Sequence, residues 1–169
     1  PALDLYERYL GEEDSRGLPG TGLLFPLKVH ASDHPDEDVV RTIIGIDREA
    51  RTLTFAGDVP EGWIAHLMRG NFDKLEAGAA TAADQARNGN SGDQSGDAVA
   101  ILVSCIGRRL LMGQHIGYEL EAAGEILGDR FQRVGFYSYG EISPHQATGS
   151  CRLHNQSMTI TTLFEAGGP

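Results

Sequence analysis

Cysteine, basic charge and long apolar runs are all scarce in this chain, and each scarcity closes a route to function. Two cysteines in 169 residues, Cys105 and Cys151, do not make a disulfide framework, so the fold must rest on a buried apolar core. They are expected as reduced thiols, with a pairing between them left open. Only 14 lysines and arginines stand against 24 acids, a net charge of −10 with histidine neutral. That balance opposes nucleic acid and anionic membranes, whose binding needs a basic patch that releases counterions. No stretch approaches the roughly 20 consecutive apolar residues that span a bilayer, and the N-terminus carries no signal-peptide pattern. The chain begins Pro1-Ala2-Leu3 without methionine and is expected to be a piece of a longer, cytoplasmic protein.

What is present suits one ordinary globular domain over 1–169, with 40% hydrophobic and 22% charged residues. Leu3, Tyr6, Tyr9 and Leu10 recur at helical spacing before Gly11, which predicts a short helix. The stretch from Glu12 to Gly22 reads as an acidic, glycine-rich loop. It has no preceding strand and no Lys-Ser/Thr ending, so it is not a phosphate loop. Strands are expected at Leu23–His30, with Pro26 marking an edge or bend, at Val39–Asp47 and Thr52–Phe55 around the turn Asp47–Arg51, and at Trp63–Met68. Asn71 caps a helix with Phe72, Leu75, Ala79, Ala82, Ala83 and Ala86 on one face. Residues 88–97 have linker composition and read as a mobile loop. The unalternating apolar run Ala98–Ser104 predicts a central strand buried on both faces, followed by a helix over Gly107–Leu127 and strands at Arg133–Tyr139 and Met158–Phe164. Strand-helix-strand order implies a parallel crossover. The expected fold is mixed α/β: an antiparallel β-meander continued by β-α-β units into one mixed sheet with helices packed on it.

The polar residues at strand ends are the candidates for function. Glu141 directly follows an apolar strand, where a carboxylate is desolvated and needs a partner. A ligand amine is one candidate and Arg108 another; a salt bridge that merely pins the strand end is equally consistent. His154 and Asn155 open the last strand, and asparagine offers a donor and an acceptor to a small molecule or caps its own turn. Cys105 ends the buried strand just before Gly107 and Arg108, where open α/β sheets place ligands and where a helix N-terminus lowers a thiol pKa. Catalysis there would need a base such as His154 brought in by folding, and the expectation for Cys105 is a buried, inert cysteine beside a ligand pocket. Metal chemistry is not expected. His30 and His34 are four apart but Pro35 prevents a helix, and the set His145, Cys151 and His154 has irregular spacing.

Three motifs in register, Ser104-Cys-Ile-Gly-Arg108, Gly135-Phe-Tyr-Ser-Tyr-Gly-Glu-Ile142 and His154-Asn-Gln-Ser-Met-Thr159, make the chain resemble the C-terminal half of a FIST domain. Ala2-Leu-Asp-Leu-Tyr6, the pair Val40-Arg41 and the glycines Gly57 and Gly62 are similar to it as well. One departure is Ser157, where threonine is more usual; the hydroxyl is kept. The resemblance implies a sensory domain of a signalling protein that binds small ligands, amino acids among them, and is not an enzyme. It implies as partners an N-terminal FIST half or a signalling output domain, and it implies no cofactor. Glu141, Asn155, Arg108, Arg41, Cys105 and His154 are the expected ligand-binding set: Glu141 for an ammonium, an arginine for a carboxylate. The rival readings are a protein-interaction scaffold and a thiol enzyme built on Cys105 and His154.

Overall fold

Leu3 and Tyr6 fall on one face of helix α1 (Ala2–Leu10), which buries both and stops at Gly11, a residue at φ 81° that lets the backbone turn away. The computed structural model describes residues 1–89, 96–144 and 151–165. The chain forms two compact units, Pro1–Gly70 with Leu153–Asn155, and Asn71–Arg152 with Gln156–Pro169.

In the first unit Leu3, Tyr6, Leu18 and Ile43 form a core, with Phe25, Leu27 and Phe55 packed against it. The expected acidic loop is partly helical: α2 spans Glu12–Arg16, and a tight 3₁₀ turn covers Gly20–Leu23. That turn takes the start of the strand expected at Leu23, so β1 is only Leu27–His30. Pro26 lies outside the ladder, its carbonyl accepting from the Met68 N–H, which leaves β1 free to be central. It pairs antiparallel with β2 (Val39–Arg41) on one side and β5 (Ile64–Leu67) on the other. β3 (Ile43–Asp47) and β4 (Thr52–Phe55) form a separate hairpin, closed by Asp47 Oδ1 accepting from the N–H groups of Glu49 and Ala50. The strand expected over Val39–Asp47 therefore breaks at Thr42, whose amide leaves the ladder for the Asn155 side chain. The simple meander fails for a second reason: β5 returns to β1, not to β4.

In the second unit Asn71 caps α3 (Phe72–Asn88), its Oδ1 accepting from the Lys74 N–H at 3.2 Å. β6 (Ala98–Cys105) is the centre of a mixed sheet, parallel to β7 (Phe131–Ser138) and antiparallel to β10 (Met158–Phe164). Ala98, Ala100 and Leu102 share a core with Ala79 and Ala83 of α3 and with Ala123 and Leu127 of α5 (Ile116–Leu127). The alanines bring helices close to the sheet. The helix expected over Gly107–Leu127 is two, because Gly113 at φ 53° ends α4 (Ile106–Met112), and a 3₁₀ turn precedes α5. β8 (Glu141–Pro144) pairs with β9 (Cys151–His154), whose first two residues belong to this unit. Of the loop expected at 88–97, Asn88 closes α3 and Asp97 leads into β6, while 90–95 lie outside the described residues.

The mixed α/β class with a mixed sheet holds, but the strands are divided among four ladders instead of one sheet. β6 is also not buried on both faces. Alternation puts Val99, Ile101 and Val103 on the face away from the helices, where they are half-buried, and their register partners Val134 and Phe136 on β7 are 56% and 63% exposed.

Candidate functional site

Glu141 begins β8, with only two residues between it and the end of β7 at Ser138, so the tight connection returns its side chain to the strand it has just left. Its carboxylate is buried and accepts from two hydroxyls: Oε1 from Ser138 and Oε2 from Ser157, the latter at 2.5 Å. Burial pushes the carboxyl above its usual range, opposed by both hydroxyls and by the nearby Arg108 charge. The folded state therefore holds the Glu141 proton more tightly than the unfolded chain does. Its favourable contribution is complete below the ordinary glutamate value of 4.5 and is lost as pH rises through the higher folded value. Glu141→Gln is expected to be at least as stable as wild type at neutral pH. It should also lack this part of the wild-type decline when urea midpoints are followed upward from acid. Identical pH profiles for the two proteins would sink the assignment.

Arg108 is not the partner of Glu141. It stands in the first turn of α4 and donates from Nε to Glu119 Oε2 at 2.8 Å, from Nη2 to the Leu75 carbonyl at 2.6 Å and from Nη1 to the Gln156 carbonyl at 3.5 Å. Glu119 accepts a further bond from Ser104 Oγ at 3.0 Å. The pair is 3% and 0% exposed, so Ser104, Glu119 and Arg108 form one buried chain of charge-assisted bonds linking β6, α5 and α4. Glu119 was missed by the sequence reading. Its signal was there: it lies four and eight residues before Ala123 and Leu127, on the stripe that α5 buries.

Cys105 is buried at the end of β6, its N–H bonded to the Ser157 carbonyl at 3.0 Å. Burial raises its thiol pKa and outweighs the backbone bonds from Gly107 and Gln156 that act to lower it, against the rival reading of a reactive thiol. Both cysteines are free thiols. Iodoacetamide at mildly alkaline pH should label exposed Cys151 first and leave Cys105 untouched until the protein is unfolded; mass spectrometry of the labelled peptides checks this. Equal rates would restore the reactive-thiol reading.

Arg41, His154 and Asn155 belong to the first unit, whereas Cys105, Arg108 and Glu141 belong to the second. Arg41 is buried and donates to three carbonyls, those of Asp58 at 2.7 Å, Leu153 at 2.8 Å and Val40 at 3.1 Å. Gly57 lies against it: a Cβ there would stand 3.0 Å from Arg41 Nε. His154 and Asn155 do not open the last strand. His154 closes β9, Asn155 follows it, and Gln156 at φ 54° turns the chain before β10 starts at Met158. Asn155 Oδ1 accepts the Thr42 N–H at 3.2 Å, while its buried Nδ2 has no hydrogen-bond partner. His30 and His66 stack with their Nε2 atoms 3.3 Å apart, and His30 Nδ1 lies 2.9 Å from the Ala31 carbonyl. No group of three or more His, Cys, Asp or Glu able to hold a metal occurs among the described residues; His145 lies outside them.

A cleft of about 500 Å³ opens in the second unit between α5 and the edge of the sheet. Ser104 and Tyr137 give it hydroxyls, Leu102, Leu120 and Met158 give it apolar walls, and Glu121 and Arg133 give it charge. Its size falls within the range of roughly 300–1,000 Å³ usual for small-molecule pockets. Two of its walls touch the buried groups: Ser104 bonds Glu119, and Met158 follows Ser157, which bonds Glu141. Nothing in the sequence marks this cleft, because residues 102, 120 and 133 meet only through the parallel crossover.

The FIST C domain family matches residues 2–144. No curated protein and no solved structure matches the chain. No helix among the described residues is long and apolar enough to cross a membrane.

Proposed function

The chain belongs to the FIST C domain family, a family of sensory domains in signal transduction, and on that premise we propose that it binds a small polar metabolite of the amino-acid class and passes the bound state to a signalling partner. The partner would be the N-terminal half of a FIST protein or an output domain, in the cytoplasm. One observation carries the reading: the chain of buried bonds that starts on the wall of the cleft. Ser104 lines the cleft and also bonds Glu119; Glu119 holds Arg108; Arg108 holds the carbonyls of Leu75 on α3 and Gln156 in the turn before β10. A ligand that competes for the Ser104 hydroxyl changes the tension on that chain, and so the relative stability of two arrangements of α3 and the turn. Such a difference is what a partner can read. In this reading Arg108, Glu141 and Cys105 are buried groups that respond to the ligand from behind the wall. Asn155, with its unpartnered amide, beside His154 and Arg41 in the first unit, is a candidate contact for a ligand or water oxygen.

A specific observation favours a second reading, an interaction surface. Val134 and Phe136 on β7 and Leu163 on β10 are exposed on the sheet face away from the helices, more apolar surface than a strand exposed to water needs.

A thermal-shift screen against amino acids and small organic acids separates the two. A ligand that binds only the folded state adds about 2.7 kcal/mol at one hundred times its dissociation constant. A hit whose shift is lost in Ser104→Ala, although that variant folds, supports the sensor. A blank screen with a native, folded protein favours the interaction surface.

A further inference from the structure

The cleft over β7 carries two charges that the protein leaves unneutralised. Glu121 on α5 and Arg133 on β7 both line it, both are exposed, and neither makes a hydrogen bond or ion pair among the described residues. Two glycines lie in the interiors of the elements that carry them, and one of these, Gly124, clears the space that Arg133 occupies. A Cβ on Gly124, inside α5, would overlap Nη1 of Arg133, and one on Gly135, inside β7, would overlap the Leu102 carbonyl oxygen. Glycine is the least suited residue after proline to a helix interior, and it weakens a strand interior too. At Gly124 the sequence accepts that loss where a side chain would displace the arginine of the cleft; at Gly135 the close approach of the β6 backbone requires it.

An unpaired carboxylate and an unpaired guanidinium beside the apolar Leu102, Leu120 and Met158 define the complement of one kind of molecule. We infer that the cleft binds a zwitterion with a bulky apolar group. The planar fork of Arg133 takes the ligand carboxylate, Glu121 takes its ammonium, and the apolar walls take the rest. A zwitterion also escapes the repulsion that a net charge of −10 exerts on a simple anion. The inference rests on the small-ligand reading above and adds to it a place and a selectivity.

Calorimetric titration of the whole chain tests it with L-leucine, L-methionine and L-phenylalanine as probes. 3-Phenylpropionate lacks the ammonium, 2-phenylethylamine lacks the carboxylate, and glycine lacks the apolar group. At least one of the three zwitterions should bind, and the incomplete probes should bind tenfold or more weakly. Arg133→Met and Glu121→Gln should each lower the affinity at least tenfold without moving Tm, because both side chains are exposed and unpaired. Gly124→Ala is the sharper variant: Tm should stay or rise while affinity falls, since the new methyl occupies the place of the guanidinium. Binding of an incomplete probe as tightly as the zwitterions, or unchanged affinity in Arg133→Met and Glu121→Gln, overturns the inference. If another metabolite binds independently of these two residues, the inference fails and the sensory reading stands. If nothing in the screen or among these probes binds, both fail.

Discussion

Glu119→Ala should lower the stability of this protein by about 3–5 kcal/mol, because it leaves the buried Arg108 guanidinium without its counter-charge. Arg108 is 3% exposed, and its other donors meet only neutral carbonyls, so water does not replace the lost carboxylate. Ser104 loses its acceptor in the same step. The cost belongs to breaking the pair and not to its net worth, which desolvation of two charges largely cancels. Hence Arg108→Met combined with Glu119→Leu should recover most of the loss. Urea unfolding of Arg108→Met, Glu119→Leu and the double variant gives the coupling directly. A Glu119→Ala protein within about 1 kcal/mol of wild type would mean that water reaches Arg108 or that the pair is broken in solution, and the proposed link from the cleft to α3 would go with it.

Arg41→Ala should cost about 3 kcal/mol in the first unit. Bonds from a charged donor are worth roughly 1.5–3 kcal/mol each, and the carbonyls of Asp58, Leu153 and Val40 all lose one, although some rehydrate. Arg41→Lys should rescue little. A lysine offers a compact ammonium in place of the fork, and Arg41 reaches Asp58 and Leu153 from different nitrogens at once. Hydrogen exchange at the amides of β2 and at Thr42 is the matching local readout, expected to quicken in both variants. If Arg41→Lys is as stable as wild type, the guanidinium is not structurally committed, and a direct role in holding a ligand carboxylate regains its place.

Much of the architecture follows from residues close together in the chain. The apolar stripe of α1 and the stop at Gly11, the Asn71 cap on α3 and the strand-helix-strand order around β6 are all local. Backbone sterics and 3.6-residue periodicity act within a turn or two, so they can be read without knowing the fold. The family motifs are legible for a related reason: they are contiguous. The sequence also marks Glu141 as a group whose burial needs a partner, but it cannot decide between the candidates. Ser138 and Ser157 bond Glu141 where a ligand amine and Arg108 were the candidates, and Glu119 holds Arg108 instead.

Only the tertiary structure decided the rest. The Val39–Asp47 strand breaks because Asn155, more than a hundred residues later, offers Thr42 a better acceptor than the ladder does. β5 joins β1 instead of β4, and the cleft exists because a parallel crossover brings α5, with Gly124 making room for Arg133, beside the edge of the sheet. By itself the sequence determined the mixed α/β class, the stop of α1 and the cap of α3, the order of elements around β6, and the need of Glu141 for a partner. The partners of the buried polar groups were decided by the fold, because a hydrogen bond or an ion pair depends on which atoms come within about 3 Å, and separation along the chain says nothing of that.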